Sequence, residues 1–369
     1  MGELNRPQKR IFALVTDAYG GIGGIAKFNR DFLRACCSWD KCLEVVAIPR
    51  VAPLMSEAPP PKLRWLNQSL NSKLKFLISL LRLIIDKQKF DLIVCGHLNF
   101  ASLVWLISRI TQAPYVIIMH GIEAWGTNKN IVHRWALNDT KAFVSVSHFT
   151  QSKFLNWAKL PKSKWFILPN CVNLSVFTPG PKRHELIEKY GIRNKRILMT
   201  VGRMCSRERF KGFDEVLEIM PALLGEYPDL IYMLVGDGTD RKRLEGKAAQ
   251  LGVSTNVIFT GYIPEEDKPD HYRLADLYVM PSRGEGFGIV LLEALACGIP
   301  VIASCLDGGA EAVQYGLLGD LVDPNNLEAV RIAIKRTLQK GKKGRLAGIE
   351  NFSYTIFEKK IHCIIQACQ

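Results

Sequence analysis

Residues 277–303 read LYVMPSRGEGFGIVLLEALACGIPVIA, and this stretch decides the fold. It opens with one short apolar run, Leu277–Met280, and closes with another, Pro300–Ala303. Each run has the length and composition of a buried strand, while Gly288–Cys297 between them is long enough for a helix. A strand, a helix and a second strand in close succession predict a βαβ unit of a parallel sheet.

The same alternation runs through the whole chain. Near-continuous apolar runs such as YVIIM (115–119) and IYMLV (231–235) suit strands that helices cover on both faces. The other predicted strands are Arg10–Thr16, Leu43–Pro49, Leu92–Cys95, Ala142–Ser145, Trp165–Leu168, Ile197–Val201 and Val257–Thr260. Predicted helices include Lys211–Leu224 and Asp240–Leu251, whereas the proline-rich stretch Ala58–Arg64 predicts a stiff loop.

The segment TPGPKR at 178–183 interrupts this pattern with two prolines and a glycine. We therefore predict an α/β protein of two doubly wound parallel-sheet (Rossmann-like) domains facing across a cleft. The first spans residues 1–177 and the second residues 178–350. Residues 351–369 are expected to form a C-terminal helix that packs back on the first domain.

Charge is unevenly distributed between these halves. The 369 residues carry a net charge of +14. Residues 1–177 hold 23 lysines and arginines against 10 acidic residues, whereas the remaining residues hold 26 against 25. A strongly basic first half indicates an anionic partner, which could be a membrane surface, a lipid phosphate, an acidic glycan or nucleic acid.

The cysteines and the apolar runs indicate the cellular compartment. The ten cysteines are scattered without a C-x-x-C pair or a zinc spacing, so we expect free thiols in a reducing environment. The first ten residues lack the apolar run of a signal peptide. The apolar run 76–85 is far shorter than the ~20 residues of a membrane-spanning helix, and we expect a cytoplasmic protein.

Glycines follow two of the predicted strands. In the loop AYGGIGGIAKF (18–28), Gly20, Gly21 and Gly23 let the backbone approach a ligand, and the helix that follows favours an anion. A plain tight turn and a dinucleotide-binding loop remain alternatives, although the spacing differs from G-x-G-x-x-G. Gly236 opens a similar turn after IYMLV.

Charged and titratable residues stand at other strand ends. His120 closes YVIIMH, where either a structural role or a ligand-binding role is open. Arg203 follows a strand and Lys211 opens a helix, so both could meet a diphosphate. Glu285 lies in a glycine-rich turn and Glu293 lies eight residues later, inside the helix. Two carboxylates could serve hydrolytic acid–base chemistry, but a helix N-terminus between them favours two hydroxyl-binding acids that flank a phosphate.

The chain resembles glycosyltransferase family 4, whose members have a two-Rossmann-domain B-type fold. The resemblance rests on PNCVN (169–173), VGR (201–203), FKGFD (210–214), VGDG (235–238), FTGYI (259–263), the E-x7-E segment (285–293) and ACGIPVIAS (296–304). It implies that Glu285 binds the donor sugar beside the reacting centre and that Glu293 binds the ribose hydroxyls. The implied catalytic residues are His120 and Glu285; the implied donor-binding residues are Gly20, Gly21, Gly23, Arg203, Lys211, Gly236, Ile263, Phe287, Gly288, Ile289 and Glu293.

The resemblance also implies the reaction: transfer of a hexose from a UDP- or GDP-sugar with retention of anomeric configuration. No metal or other cofactor is implied, and Arg207 and Arg209 in the long stretch before Lys211 could replace it at the diphosphate. The expected acceptor is a glycan or a lipid-linked molecule in surface polysaccharide or glycolipid synthesis, with no nucleic acid. A sugar-phosphate phosphorylase, a nucleotide-sugar epimerase and a non-catalytic membrane- or nucleic-acid-binding protein are the alternatives.

The stretch KLKFLISLLRLIIDKQK (73–89) bears on the acceptor. It is apolar at its centre with basic residues interspersed. It predicts either a core helix with solvated lysines or a surface helix that docks on anionic lipid. With the basic charge of the first half, the second alternative predicts peripheral association with the cytoplasmic face of a membrane.

Overall fold

The computed structural model describes residues 8–51, 57–66, 72–85, 88–127, 130–160, 164–342 and 344–368. The chain divides into two compact units. The first comprises the chain up to Cys171 together with the segment from Tyr354 onward, and the second is Val172–Ser353. The first unit therefore ends shortly before the predicted boundary at residue 177.

The strands are β1 Lys9–Val15, β2 Cys42–Pro49, β3 Leu63–Trp65, β4 Leu92–Cys95, β5 Tyr115–Met119, β6 Ala142–Ser145, β7 Trp165–Ile167, β8 Arg196–Val201, β9 Leu230–Val235, β10 Val257–Phe259, β11 Leu277–Met280, β12 Val301–Ser304 and β13 Asp320–Val322. The α-helices are α1 Gly24–Ser38, α2 Lys73–Ile85, α3 Ala101–Thr111, α4 Ile131–Asp139, α5 His148–Ala158, α6 His184–Tyr190, α7 Phe213–Glu226, α8 Arg241–Gln250, α9 Lys268–Leu274, α10 Ile289–Ala296, α11 Gly309–Ala312, α12 Leu327–Lys340 and α13 Tyr354–Cys368.

The first unit is built on a seven-stranded sheet in the order β3-β2-β1-β4-β5-β6-β7. All of its strand pairs are parallel. The strand order reverses between β1 and β4, and ligands of such sheets bind outside the carboxyl ends of the strands at that switch point. Helix α13 packs against α1, with the Phe357 ring 5.5 Å edge-on to that of Phe28.

The second unit repeats the design with six parallel strands in the order β10-β9-β8-β11-β12-β13. Its switch point lies between β8 and β11. The central strands are covered on both faces, so LYVM of β11 is buried at every residue. The prediction of two Rossmann-like α/β domains is confirmed for each unit.

Two short edge strands were not predicted. Leu63–Trp65 forms β3, so the stretch Ala58–Arg64, predicted to be a loop, in fact ends inside a strand. Asp320–Val322 forms β13 at the edge of the second sheet next to β12. LRW and DLV each contain a charged residue, so neither forms the uninterrupted apolar run by which the equally short strands WFI (β7) and VIF (β10) were predicted. Among the described residues, no helix is long and apolar enough to cross a membrane.

Candidate active site

The switch point of the second sheet brings Lys211 and Glu285 together. Lys211 lies in the loop after β8 and Glu285 in the loop after β11, and the Lys211 ammonium is ion-paired with the Glu285 carboxylate. Both side chains are largely shielded from solvent. Two residues that are 74 positions apart in sequence thus form one charged pair at the edge where such sheets bind ligands.

Glycines let these two loops approach each other closely. A Cβ on Gly202 would lie 3.1 Å from Cδ of Lys211, so the lysine stem passes over a residue without a side chain. A Cβ on Gly284 would lie 2.5 Å from the ring of Phe210, beside the hydrogen bond that Arg283 N–H donates to the Phe210 carbonyl at 2.7 Å. The pairing of Lys211 with Glu285 therefore depends on backbone contacts on either side of it.

Helix α10 begins directly after the Glu285 turn. Gly288 precedes it with a φ of +89°, a conformation that favours glycine, and no side chain caps the helix. The first N–H groups of a helix have no acceptor within the helix, so the backbone at Gly288 and Ile289 suits an anion. The Phe287 side chain is buried against the Phe352 ring.

Glu293, to which the resemblance assigns the ribose hydroxyls, is buried. It lies in the body of α10, is only 1% exposed, and accepts a hydrogen bond of 2.8 Å from the Tyr272 hydroxyl. Tyr272 is itself buried on α9. In this structure the Glu293 carboxylate is thus part of an internal contact between α9 and α10.

The other predicted donor-binding residues follow neighbouring strands of the same sheet. Arg203, after β8, is ion-paired with Glu208 at 2.6 Å, and Arg209 pairs with Asp240 at 3.1 Å. Gly236, after β9, is in backbone contact with the β8 loop, because a Cβ there would lie 2.1 Å from the Gly202 carbonyl oxygen. The order of strands in the sheet therefore places the Gly236 turn next to the β8 exit loop.

The last of these residues follows the edge strand β10. The Ile263 side chain is buried, and Tyr262 beside it is exposed. Gly261 joins this segment to the β9 exit, since its carbonyl accepts the Gly236 N–H at 3.1 Å. Sequence-predicted residues thus line the carboxyl edge of the sheet from β10 through β9 and β8 to β11.

Asp307, after β12, was not predicted. Its carboxylate accepts hydrogen bonds from the Ser282 hydroxyl at 2.7 Å, from the Glu285 N–H at 2.9 Å and from the Gly309 N–H at 2.9 Å. The side chain is 2% exposed. The sequence offered one indication of Asp307: it precedes two glycines, Gly308 and Gly309, shortly after the predicted strand Pro300–Ala303.

The glycine-rich loop of the first unit is held by a buried arginine that was also not predicted. Arg30 on α1 donates to the carbonyls of Ala18 at 2.8 Å and Gly21 at 3.1 Å. Gly20 and Gly23 have φ values of +112° and +107°. A Cβ on Gly21 would overlap the Asp17 carboxyl, so the loop depends on these glycines.

His120 follows β5, next to the switch point of the first sheet. Its Nε2 lies 2.9 Å from the Gly96 carbonyl after β4, and because a carbonyl only accepts, Nε2 carries the proton. Burial lowers the pKa of the imidazole, although the Glu123 carboxylate acts to raise it. The ring is therefore neutral at neutral pH, with Nδ1 as its acceptor nitrogen. His97 lies close by, with ring centroids 6.2 Å apart.

Comparison with known proteins identifies the family. Residues 182–351 match the family described as "Glycosyl transferases group 1", and residues 22–176 match "Glycosyltransferase Family 4". The GDP-mannose-dependent alpha-(1-6)-phosphatidylinositol monomannoside mannosyltransferase of Mycolicibacterium smegmatis is 33% identical over 268 residues, which cover 68% of this chain and 69% of that protein. The chain belongs to glycosyltransferase family 4. It is a glycosyltransferase.

Solved structures agree on the fold of this glycosyltransferase. Anabaena HepE in complex with UDP and glucose has a TM-score of 0.77 at 20% identity, covering 97% of this chain and 99% of that one. Sucrose-phosphate synthase from Thermosynechococcus elongatus has a TM-score of 0.72 at 20% identity, covering 98% and 95%. Likeness at this identity shows the B-type fold.

The two matched segments cover most of the predicted site of the glycosyltransferase. Residues 182–351 contain the exits of β8 to β12, including Lys211 and Glu285. Residues 22–176 contain Gly23 and His120, whereas Gly20 and Gly21 precede that segment. The family match therefore covers the carboxyl edge of the second sheet in full.

Proposed function

We propose that this glycosyltransferase transfers a hexose from a nucleoside-diphosphate sugar to a glycan or lipid-linked acceptor, with retention of anomeric configuration. The observation that carries the proposal is the Lys211–Glu285 pair at the β8–β11 switch point, beside the N-terminus of α10. A diphosphate there meets a fixed cation and the positive end of a helix, and both stabilise the leaving group as its charge develops.

The roles of the neighbouring residues follow from that position. Glu285 accepts hydrogen bonds from hydroxyls of the donor sugar, and the backbone at Phe287, Gly288 and Ile289 donates to phosphate oxygens. Arg203 supplies a second cation to the diphosphate, and Ile263 contacts the base through its main chain. Glu293 accepts the ribose hydroxyls through a carboxylate whose Oε2 is held by the Tyr272 hydroxyl at 2.8 Å.

The first unit is proposed to hold the acceptor and to contribute His120 beside the transferred sugar. Its neutral ring offers Nδ1 as an acceptor for a sugar hydroxyl, while Nε2 is fixed by Gly96. The loop of Gly20, Gly21 and Gly23 lies at the switch point of this sheet, where backbone N–H groups can meet a phosphate.

A donor screen tests the proposal. UDP-, GDP- and ADP-hexoses are assayed for thermal shift, because a ligand that binds only the folded state raises its melting temperature, and for slow hydrolysis. Glu285→Ala is expected to abolish hydrolysis while the protein stays folded, and Glu328→Ala, an exposed acid at the start of α12, is expected to have no effect. Full activity of Glu285→Ala would exclude the assigned role of Glu285.

Stereochemistry and metal use are tested on the same reaction. NMR of the first-formed product is expected to show the anomeric configuration of the donor. We propose that no metal takes part, since Lys211 and Arg203 supply the positive charge that the diphosphate needs. Enzyme treated with EDTA is therefore expected to keep its rate, and a loss that Mg²⁺ or Mn²⁺ restores would contradict this.

Helix α2 supports a lipid-linked acceptor. One face packs Phe76, Leu80 and Leu83 into the core of the first unit. The opposite face exposes four large apolar side chains at helical spacing: Leu74, Leu77, Ile78 and Leu81, exposed by 68%, 48%, 38% and 54%. A soluble surface helix normally carries polar residues on its outer face.

We propose that this outer face docks on the anionic cytoplasmic surface of a membrane. Lys75 and Arg82 are exposed on the same helix, in a half of the chain that carries a net charge of +13. Each apolar side chain of this size contributes roughly 1 kcal/mol when its exposed half is buried. Each basic residue near anionic lipid adds about 1 kcal/mol. We expect the protein to cosediment with anionic vesicles at low salt. A lack of cosedimentation would exclude docking on an anionic membrane.

A further inference from the structure

Asp307 holds the backbone of Glu285 from two sides. Its own carboxylate accepts the Glu285 N–H at 2.9 Å, and the next residue, Gly308, donates its N–H to the Glu285 carbonyl at 2.9 Å. Asp307 and Gly308 follow β12, whereas Glu285 follows β11. The position of Glu285 is thus fixed by a loop that comes from a different strand.

The packing between the two loops leaves no room for a side chain at residue 308. A Cβ on Gly308 would lie 2.1 Å from the Gly286 carbonyl oxygen and 2.9 Å from that of Glu285. The Ser282 hydroxyl donates to the same Asp307 oxygen as the Glu285 N–H does. Asp307 therefore collects donors from both ends of the 282–285 turn and closes it around its carboxylate.

We propose that Asp307 is a positioning residue for sugar transfer: its ionised carboxylate holds the Glu285 turn so that the Glu285 side chain meets both Lys211 and the donor sugar. The inference rests on the proposed function, in which Glu285 contacts the transferred sugar. Asp307 itself is buried behind the turn and acts only through Glu285. A displacement of about 1 Å at a reacting centre lowers the rate about 100-fold.

The ionisation of Asp307 gives the proposal a pH signature. Burial raises the pKa of its carboxyl from the ordinary 3.8 to about 6, although the hydrogen bonds from Glu285 N–H, Ser282 and Gly309 act to lower it. The negative charge of Glu285 acts to raise the pKa of Asp307 further. Cys305, on the same loop, is another titratable group near Asp307. Lys211 pairs with Glu285 on the far side of that carboxylate. Below about pH 6, the protonated carboxyl is a weaker acceptor for the backbone N–H groups.

Asp307→Asn separates charge from shape. An amide has one acceptor oxygen, so it cannot accept both the Glu285 N–H and the Gly309 N–H, which bind different oxygens of the carboxylate. In either orientation its NH2 group faces one of these two backbone donors. The contact between the 282–285 turn and the loop of Gly309 therefore loses one hydrogen bond and the negative charge, while the volume of the side chain is unchanged. We expect kcat/KM for the nucleotide sugar to fall about 10- to 100-fold. Affinity for the free nucleoside diphosphate is expected to change much less than kcat/KM, because Glu285 contacts the sugar and reaches the diphosphate only through Lys211.

The experiment compares pH–rate profiles of the wild-type protein, Asp307→Asn, Ser282→Ala and Cys305→Ser. The wild type is expected to lose activity as the pH falls through about 6, and Asp307→Asn is expected to lack that limb. Ser282→Ala removes a donor that lowers the pKa of Asp307, so its limb is expected to move to higher pH. Cys305→Ser changes the same loop without touching the carboxylate and is expected to match the wild type. A limb from His120 would be common to all four proteins.

The outcomes separate this inference from the function on which it rests. If the wild type turns over no nucleotide sugar, the proposed function fails. If the wild type is active and Asp307→Asn equals it in rate and in pH profile, Asp307 is not a positioning residue. If Asp307→Asn does not fold, Ser282→Ala decides: a shifted limb supports the inference, and an unshifted limb overturns it.

Discussion

The Lys211 ammonium and the Glu285 carboxylate form an ion pair across the point where the strand order of the second sheet reverses. The pair is shielded, so its attraction is stronger than that of an exposed pair. A diphosphate at the start of α10 would share Lys211 with Glu285. In the proposed function, donor binding would therefore rearrange an ion pair that already exists, in which Lys211 is held at the site before the ligand binds.

Replacement of Lys211 by alanine is expected to lower kcat/KM for the nucleotide sugar by about 100- to 1,000-fold, because the leaving diphosphate loses its nearest cation. Lys211→Arg keeps the charge but presents a planar fork, and we expect it to recover only part of the rate. Lys242→Ala, an exposed lysine on α8, serves as the control. Steady-state kinetics at saturating acceptor measure the effect, and a Lys211→Ala enzyme as fast as the control would refute it.

A charged network between α7 and α8 is expected to control acid stability. Asp214 accepts two hydrogen bonds from Arg243 and one from Lys247, all at 2.7 Å. Burial acts to raise the pKa of Asp214, but these hydrogen bonds outweigh it and lower the pKa from 3.8 to about 2. A depressed pKa stabilises the folded state above about pH 4, and this contribution is lost as the pH falls from about 4 to about 2.

Asp214→Asn is therefore expected to lower the free energy of unfolding by about 2 kcal/mol at pH 7. The difference from the wild type should shrink as the pH falls from 4 towards 2. Circular dichroism in urea follows both units, while all seven tryptophans lie within the first 165 residues and report the first unit alone. A loss seen equally in tryptophan fluorescence would contradict a local effect. Asp229→Asn is the control, because Asp229 is more exposed and its ion pair with Arg196 is longer, at 3.5 Å.

Gly236 is expected to be needed for the fold of its turn, whatever it contributes to the donor. Its φ is +133°, and an alanine Cβ would lie 2.1 Å from the Gly202 carbonyl oxygen. Gly236→Ala should lower the melting temperature of the second unit by several degrees. Gly225→Ala in α7 meets nothing within 4 Å and should instead stabilise slightly, because alanine favours the helix. Equal melting temperatures for the two variants would contradict this.

Most of the fold could be predicted from the sequence, since strands buried on both faces form uninterrupted apolar runs. LYVM and YVIIM were predicted with the bounds that the structure has. The edge strands Leu63–Trp65 and Asp320–Val322 were missed because a charged residue, Arg64 or Asp320, interrupts each short apolar run. Their strand conformation depends on pairing with the neighbouring strands β2 and β12.

The candidate site was predictable only in part. Residues at the ends of recognisable strands, such as Lys211 and Glu285, stood out because their loops are rich in glycine. Arg30 did not, since an arginine in the middle of a helix is usually solvated, and only the structure shows it buried and bonded to loop carbonyls. Asp307 contacts Glu285 across 22 residues, a pairing that no local spacing indicates.

The outer face of α2 allows a test of membrane docking that leaves the donor site untouched. Leu77 and Leu81 lie one turn apart on that face, and Leu77→Asp with Leu81→Asp places two negative charges against anionic lipid. We expect binding to phosphatidylglycerol-containing vesicles to fall at least 10-fold, because burial energy is lost and repulsion is added. Leu317→Asp replaces an 80% exposed leucine of the second unit and is the matched control. Donor hydrolysis should be unchanged in both proteins, whereas vesicle binding that survives the double substitution would assign α2 no part in docking.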